Sequence, residues 1–381
     1  MANMILGSMR LPGWLLAAAL CCMTQPSASQ QAANDVPAVL AAASPAIEAY
    51  IRARRAYEDE ASAYWQSVSD KRRARFAKRR NGEAIVLDDY VLTQPPIYTG
   101  PPRPPGYVPP DRDPARRLEP IPRIADFLHA AKSHYDFAPD RPTDAQFKQA
   151  YAKVAAAAGL TRDQAVRIYA FETGGNGTYD GQAGIVGNRK DARPISPAMG
   201  YNQLLSTNTV GLLAEHGDNF VATLKAAAVP ERKIAALQKM IAFSRTVPNA
   251  WSAHDKLAKT TQGGMGIHAA VLDRDFGPLL QTQKLLDSVL FARAKGYTQP
   301  LTAAELELMN FTGDGNGIDM VLMPQELREK VPTSNFFQRG GYERNPIARR
   351  TGTVAALFSS IETKMDRASQ APGARELAQA F

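Results

Sequence analysis

A mainly α fold is what this chain predicts, and three observations carry the prediction. From Ile124 onward, apolar residues recur at helical spacing in successive blocks. Two blocks open on a hydroxyl followed three residues later by Gln or Glu, Thr161 with Gln164 and Thr302 with Glu305, which is capping-box chemistry. Alternating strand patterns are scarce, and there is no internal repeat. Helices are expected over 145–158, 162–172, 209–215, 231–243, 281–295 and 303–309.

The 381 residues exceed what one compact domain needs. Residues 1–29 have the make-up of a signal peptide. Arg10 supplies a positive charge, and Leu11 to Met23 is apolar but shorter than the roughly 20 residues that span a bilayer. Ser27-Ala28-Ser29 then offers small residues for cleavage. Export to the periplasm or cell envelope is the expectation. The two cysteines, Cys21 and Cys22, lie inside this segment, so the mature chain should carry no thiol and no disulfide. Lipidation is the alternative, against which Leu20 stands where a lipobox wants a small residue.

Residues 30–94 read as an N-terminal helical and basic segment. From Ile47 a helix is expected, with Tyr50, Tyr57 and Tyr64 recurring every seven residues beside Ile51, Trp65 and Val68. Such a stripe over 47–68 either packs on its own domain or meets a partner protein of the envelope. Lys71 to Arg80 supplies seven basic residues of a chain whose net charge is +8. The run reads as a solvated helix face, with contact to an anionic surface as the alternative. Residues 95–122 hold eleven prolines. Proline fixes φ and removes an amide donor, so an extended linker is expected, reaching on the order of 85 Å, with a domain boundary there. Residues 123–381 form the remaining domain.

Within 162–175, Ala165, Ile168, Tyr169 and Glu172 lie at i, i+3, i+4 and i+7, one stripe of one helix. Glu172 ends that stripe just before Gly174 and Gly175, which can terminate the helix. A partly desolvated carboxyl keeps its proton nearer neutrality, as a glycosidic general acid requires. A surface cap at a helix end is the plain alternative.

Further along, Ser196-Pro197-Ala198-Met199-Gly200-Tyr201-Asn202-Gln203, followed by Thr209, resembles the second motif of the soluble lytic transglycosylases, the goose-type-lysozyme-like family. Glu172-Thr173 resembles that family's first motif, a glutamate followed by serine after an apolar helix. Met309-Asn310-Phe311-Thr312-Gly313 resembles its third, an aromatic-Asn-Ala-Gly turn. The three stand in the family's order, and the resemblance covers roughly residues 143–360. Thr173 replaces the usual serine, and Met309 stands where an aromatic is expected. Residues 176–193 look inserted.

The resemblance implies a lysozyme-like transglycosylase domain acting on the glycan strands of peptidoglycan. Glu172 would protonate the oxygen between N-acetylmuramic acid and N-acetylglucosamine. It would then take a proton from the muramoyl 6-hydroxyl as that oxygen closes on C1, leaving a 1,6-anhydro sugar. Thr173 would orient Glu172, Tyr201, Gln203 and Asn310 would line the cleft, and Gly200 would let the protein backbone approach the glycan closely. A second carboxylate, Asp180 or Asp191, would turn the enzyme into a muramidase similar to goose-type lysozymes. A non-catalytic wall-binding or scaffolding protein is the rival from another class.

No cofactor or metal is expected. The histidines, His129, His134, His216, His254 and His268, lack ligand spacing. Asp314 to Asp319 departs from a calcium loop at positions 5 and 6 and reads as a turn. Phosphate-loop and dinucleotide fingerprints are absent, and only net charge speaks for nucleic acid, so none is expected.

Overall fold

Helix α1 (Pro45–Arg80) opens the computed structural model, which describes residues 44–109, 120–185 and 192–381. The signal-type segment with Cys21 and Cys22, residues 110–119 of the proline-rich stretch, and Asp191 lie outside the described residues. Glu48 stands in the first turn of α1 and Lys78, Arg79 and Arg80 in its last, each at the end whose dipole favours its charge.

The chain continues through α2 (Ile124–Tyr135), α3 (Asp144–Ala157), α4 (Arg162–Thr173) and α5 (Ser206–Ala226). Next come α6 (Glu231–Ser244), α7 (Trp251–Thr260), α8 (Gln262–Ile267), α9 (Phe276–Ala294) and α10 (Ala303–Thr312). It ends with α11 (Asp314–Val321), α12 (Gln325–Arg328), α13 (Arg339–Arg344), α14 (Pro346–Thr351), α15 (Val354–Ser369) and α16 (Pro372–Ala380). Among the described residues β-pairing is confined to three isolated bridges, so the protein is mainly α. No helix of the described residues is long and apolar enough to cross a membrane.

The chain divides into two units, Met1–Glu58 with Ile97–Asp111 and Asp59–Pro96 with Arg112–Phe381. In the first, residues 97–109 of the proline-rich stretch pack on α1. Lacking amide donors, the stretch docks through rings: Tyr98 and Tyr107 meet Tyr50 edge to face at 6.3 and 5.5 Å between centroids, and Tyr98 meets Tyr57 at 5.5 Å. The Arg54 guanidinium stacks over Tyr57 and Tyr98. Two members of the tyrosine stripe thus meet tyrosines of the chain's own proline-rich stretch.

The second unit corrects two expectations about the N-terminal segment. Residues Asp59–Pro96 belong to the same unit as the C-terminal helices, and Arg72 and Arg75 of the basic run are buried in it. Ala61, Trp65, Val68, Arg72 and Arg75 are buried at alternating spacings of four and three, the seam of an inward helix face. Two seam positions are arginines because backbone carbonyls receive them. Arg72 donates to Asn335 O and Phe337 O, and Arg75 donates to Asn335 O and Asp89 O, at 2.6–3.3 Å. The Arg75 guanidinium also stacks on Tyr90. Arg79 pairs with Asp319 at 2.5 Å and Lys78 with Asp89 at 2.8 Å. Asn335 completes the junction by exchanging two hydrogen bonds with the backbone of Val91. The helix-face reading failed because sequence periodicity cannot reveal carbonyls 260 residues away.

The larger apolar core gathers Phe127 and Tyr135 of α2, Leu213 and Phe220 of α5, Leu237 and Met240 of α6, and Phe276 of α9. Beside it, α4 packs on α10 and α15, which brings the candidate site together.

Candidate functional site

Helix α4 delivers Glu172 to a fixed place. Its start is the expected box: Thr161 Oγ1 accepts from Gln164 N, and Gln164 Oε1 accepts from Thr161 N. Ala165, Ile168 and Tyr169 are fully buried, so the stripe that Glu172 ends faces the interior. Gly174, at φ 69°, terminates the helix one residue after Thr173. The following loop is clamped by the first turn of α16. Ala374 N donates to Gly175 O at 2.8 Å, and Gly373 N donates to Asn176 Oδ1 at 3.1 Å. A β-carbon on Gly175 would collide with Ala368 O, so only glycine lets the two turns meet.

Glu172 is partly buried, and Asn310 of α10 donates from Nδ2 to its Oε1 at 3.0 Å. The structure therefore brings together the residues that carry the first and third motifs. One turn earlier on α10 lies a carboxyl that sequence reasoning missed. Glu307 is wholly buried, contacts the Glu172 carboxyl, and neither of its oxygens receives a well-formed bond from an N–H or hydroxyl donor. Burial, and then the negative charge of Glu172, push Glu307 well above the usual carboxylate range. Burial also raises Glu172, partly offset by the hydrogen bond from Glu307 and by the charges of Lys364 and Lys284. Lys364 of α15 sits 3.6 Å over the Phe171 ring, and burial lowers its pKa. The signal for Glu307 was an acidic residue between Leu306 and Leu308 on an apolar helix, three positions before Asn310. The lysines come from distant stretches that gave no local signal.

The other predicted residues do different work. Thr173 Oγ1 donates to Tyr169 O at 2.7 Å, bonding back to its own helix instead of orienting Glu172. Residues 199–204 close a tight loop, with Met199 and Leu204 exchanging backbone hydrogen bonds. Gln203, at φ 44°, donates to Gly200 O at 2.8 Å, so its amide closes the loop. Gly200, at φ 82°, admits the side chain of Gln281, with which a β-carbon would collide. Its close approach is to α9, not to a ligand. Tyr201 is fully buried against Phe147, Tyr151 and Tyr169, and its hydroxyl donates to Asp144 Oδ1 at 2.8 Å. Tyr201 is therefore turned into the fold and not into a cleft, whereas Gln203 stays partly exposed with its Nε2 held by the loop.

His268 holds this loop from behind. Pro197 O can only accept, so Nε2 carries the hydrogen of the 2.9 Å bond and Nδ1 accepts from Thr209 Oγ1 at 2.8 Å. Burial pushes the imidazole down to about 4, keeping it neutral. Among the muramidase candidates, Asp180 pairs with Arg141 and accepts from Thr178 Oγ1.

A separate cavity of about 290 Å³ is lined by Pro120, Pro122, Asp126, His129, Gln262 and Met265, none of which belongs to the cluster around Glu172. Among the described residues no His, Cys, Asp or Glu cluster has metal-site geometry. The expected turn at Asp314 to Asp319 is instead helix α11, in which Asp314 accepts from Ser288 Oγ and Asp319 meets Arg79. Compared with known proteins, the chain matches no family model, no curated protein and no solved structure.

Proposed function

We propose that the chain is a lytic transglycosylase that cuts peptidoglycan through Glu172. The observation that carries this reading is the meeting of Glu172 with Asn310 over a buried second carboxyl. A carboxyl whose pKa is raised by burial is an acid that still holds its proton near neutrality. Glu172 gives that proton to the glycosidic oxygen as the bond to C1 breaks. The N-acetyl carbonyl of the substrate shields the cationic carbon. The new Glu172 carboxylate then receives the 6-hydroxyl proton while O6 bonds to C1, and no water is consumed. Exported location and peptidoglycan as partner belong to the same proposal.

The complete burial of the second carboxyl favours this course over hydrolysis. Inverting glycosidases hold their carboxyls roughly 6.5–9.5 Å apart to seat a water, and retaining ones roughly 5–5.5 Å apart to seat the sugar carbon. Glu307 has no exposed surface, so it can present its carboxyl to neither a water nor a sugar carbon. A second reading, a non-catalytic wall-binding protein, is favoured by the internal use of Gln203 and Tyr201. Digestion of purified peptidoglycan in ¹⁸O-water separates the readings. Transglycosylation yields sugar ends free of ¹⁸O, hydrolysis yields labelled reducing ends, and retention of the wall without products selects the binding protein.

A further inference from the structure

Glu307 is expensive to keep where it is. It has no exposed surface, and its oxygens lack a well-formed bond from any N–H or hydroxyl donor among the described residues. An isolated buried carboxylate is costly, so such a group persists as the neutral acid or is replaced by an apolar residue. A neutral carboxyl has one O–H to give, and the acceptor in contact is Glu172. Glu307 and Asn310 stand at i and i+3 on α10, one above the other on one face. From that face Asn310 Nδ2 donates to Glu172 Oε1 at 3.0 Å. The Glu307 carboxyl and the Asn310 amide thus stand together on the helix face that meets Glu172.

We propose that Glu307 is a positioning residue, a buried neutral carboxyl whose O–H, beside the Asn310 amide, holds Glu172 in place and stabilises the anion it becomes on losing its proton. Glu307 itself touches no reacting atom and keeps its proton throughout. The charged groups acting on it are Glu172 from α4 and Lys364 from α15, with Lys284 of α9 acting on its partner. The acids of the adjoining α11, Asp314 and Asp319, are engaged by Ser288 and Arg79. The direction of the shifts agrees: the hydrogen bond lowers Glu172, whereas the charge of Glu172 raises Glu307. The role given to the Glu172 anion rests on the proposed chemistry, but the proton arrangement does not.

The test therefore begins without substrate. Carboxyl ¹³C shifts of Glu172, assigned by its loss in Glu172→Gln, are followed against pH in the native chain, Glu307→Gln and Glu307→Leu. Gln keeps a neutral donor of the same reach, so the Glu172 midpoint should stay within a few tenths of a pH unit. Leu removes the donor, and the midpoint should rise by about one to two units, ten- to a hundredfold in the protonation equilibrium. If Leu fails to fold, native and Gln still decide, because an ionising Glu307 would give the native chain a second titration step that Gln abolishes. Equal midpoints in all three proteins, or that second step below pH 8, would overturn the proposal. If peptidoglycan cleavage is detected, Glu307→Gln should keep the pH profile and KM, while Glu307→Leu lowers kcat. Absence of cleavage with the predicted midpoints would count against the transglycosylase and leave the proton arrangement standing.

Discussion

A carboxyl at the end of a helix becomes chemically useful only through what surrounds it. Burial raises the pKa of Glu172, and the Asn310 amide and the neighbouring carboxyl pull it part of the way back. Replacing Glu172 with Gln should lower cleavage by about 10²–10⁴-fold, the usual share of a general acid, with folding intact by circular dichroism. Because the acid form is the active one, kcat/KM should fall as pH rises through a pKa above the ordinary glutamate range. His268 predicts the opposite slope for stability. Its pKa drops from 6.5 to about 4 on folding, so its contribution is full above pH 6.5 and is lost as pH falls toward 4. The loss amounts to about 3 kcal/mol for this buried ring. Urea midpoints between pH 7 and pH 4 should therefore decline more steeply in the native protein than in His268→Gln. Glu172 and Asn310 were legible because each sits in a recognisable local pattern. The meaning of Gly200, Tyr201 and Gln203 was not, since a motif names residue types and not the side of the loop they face.

Among the elements, helix starts were the most readable feature. Both expected capping boxes form, at Thr161 and at Thr302, because their chemistry is complete within four residues. Helix lengths were less readable. The segment expected over 209–215 extends over Ser206–Ala226 in spite of Gly211 and Gly217. Gly217 is tolerated because a β-carbon there would press on Ile241 of α6, so tertiary packing overrides a poor helix former. Gly317 does the same for α11 against Met309 of α10. The loop of the second motif is the element most sensitive to one atom. Gly200→Ala should destabilise the protein by about 2–4 kcal/mol in urea unfolding, from the left-handed backbone and the collision with Gln281 together. Gln281→Ala in the same chain should recover part of that loss.

Across the larger unit, the chain is held by long-range polar contacts that no window of sequence contains. Arg72 and Arg75 of α1 reach Asn335 and Phe337 from more than 250 residues away, so a run of basic residues became an internal fastening. Arg75→Leu should cost about 2–4 kcal/mol, because Asp89 O loses its arginine donor and Asn335 O keeps only that of Arg72, and it should leave any salt-dependent binding to anionic vesicles unchanged. A chain beginning at residue 97 should lose cooperative unfolding, as the 333–337 segment would lack its partners. The candidate site has the same long-range character, with α4, α9, α10 and α15 each contributing one charged or amide group. Digestion of purified peptidoglycan by the native protein and by Glu172→Gln, with products resolved by mass spectrometry, tests the central claim most directly. The account predicts 1,6-anhydro-muropeptides from the first and none from the second. Equal yields from the two proteins, reducing ends one water heavier, or no products from the folded native chain would contradict it.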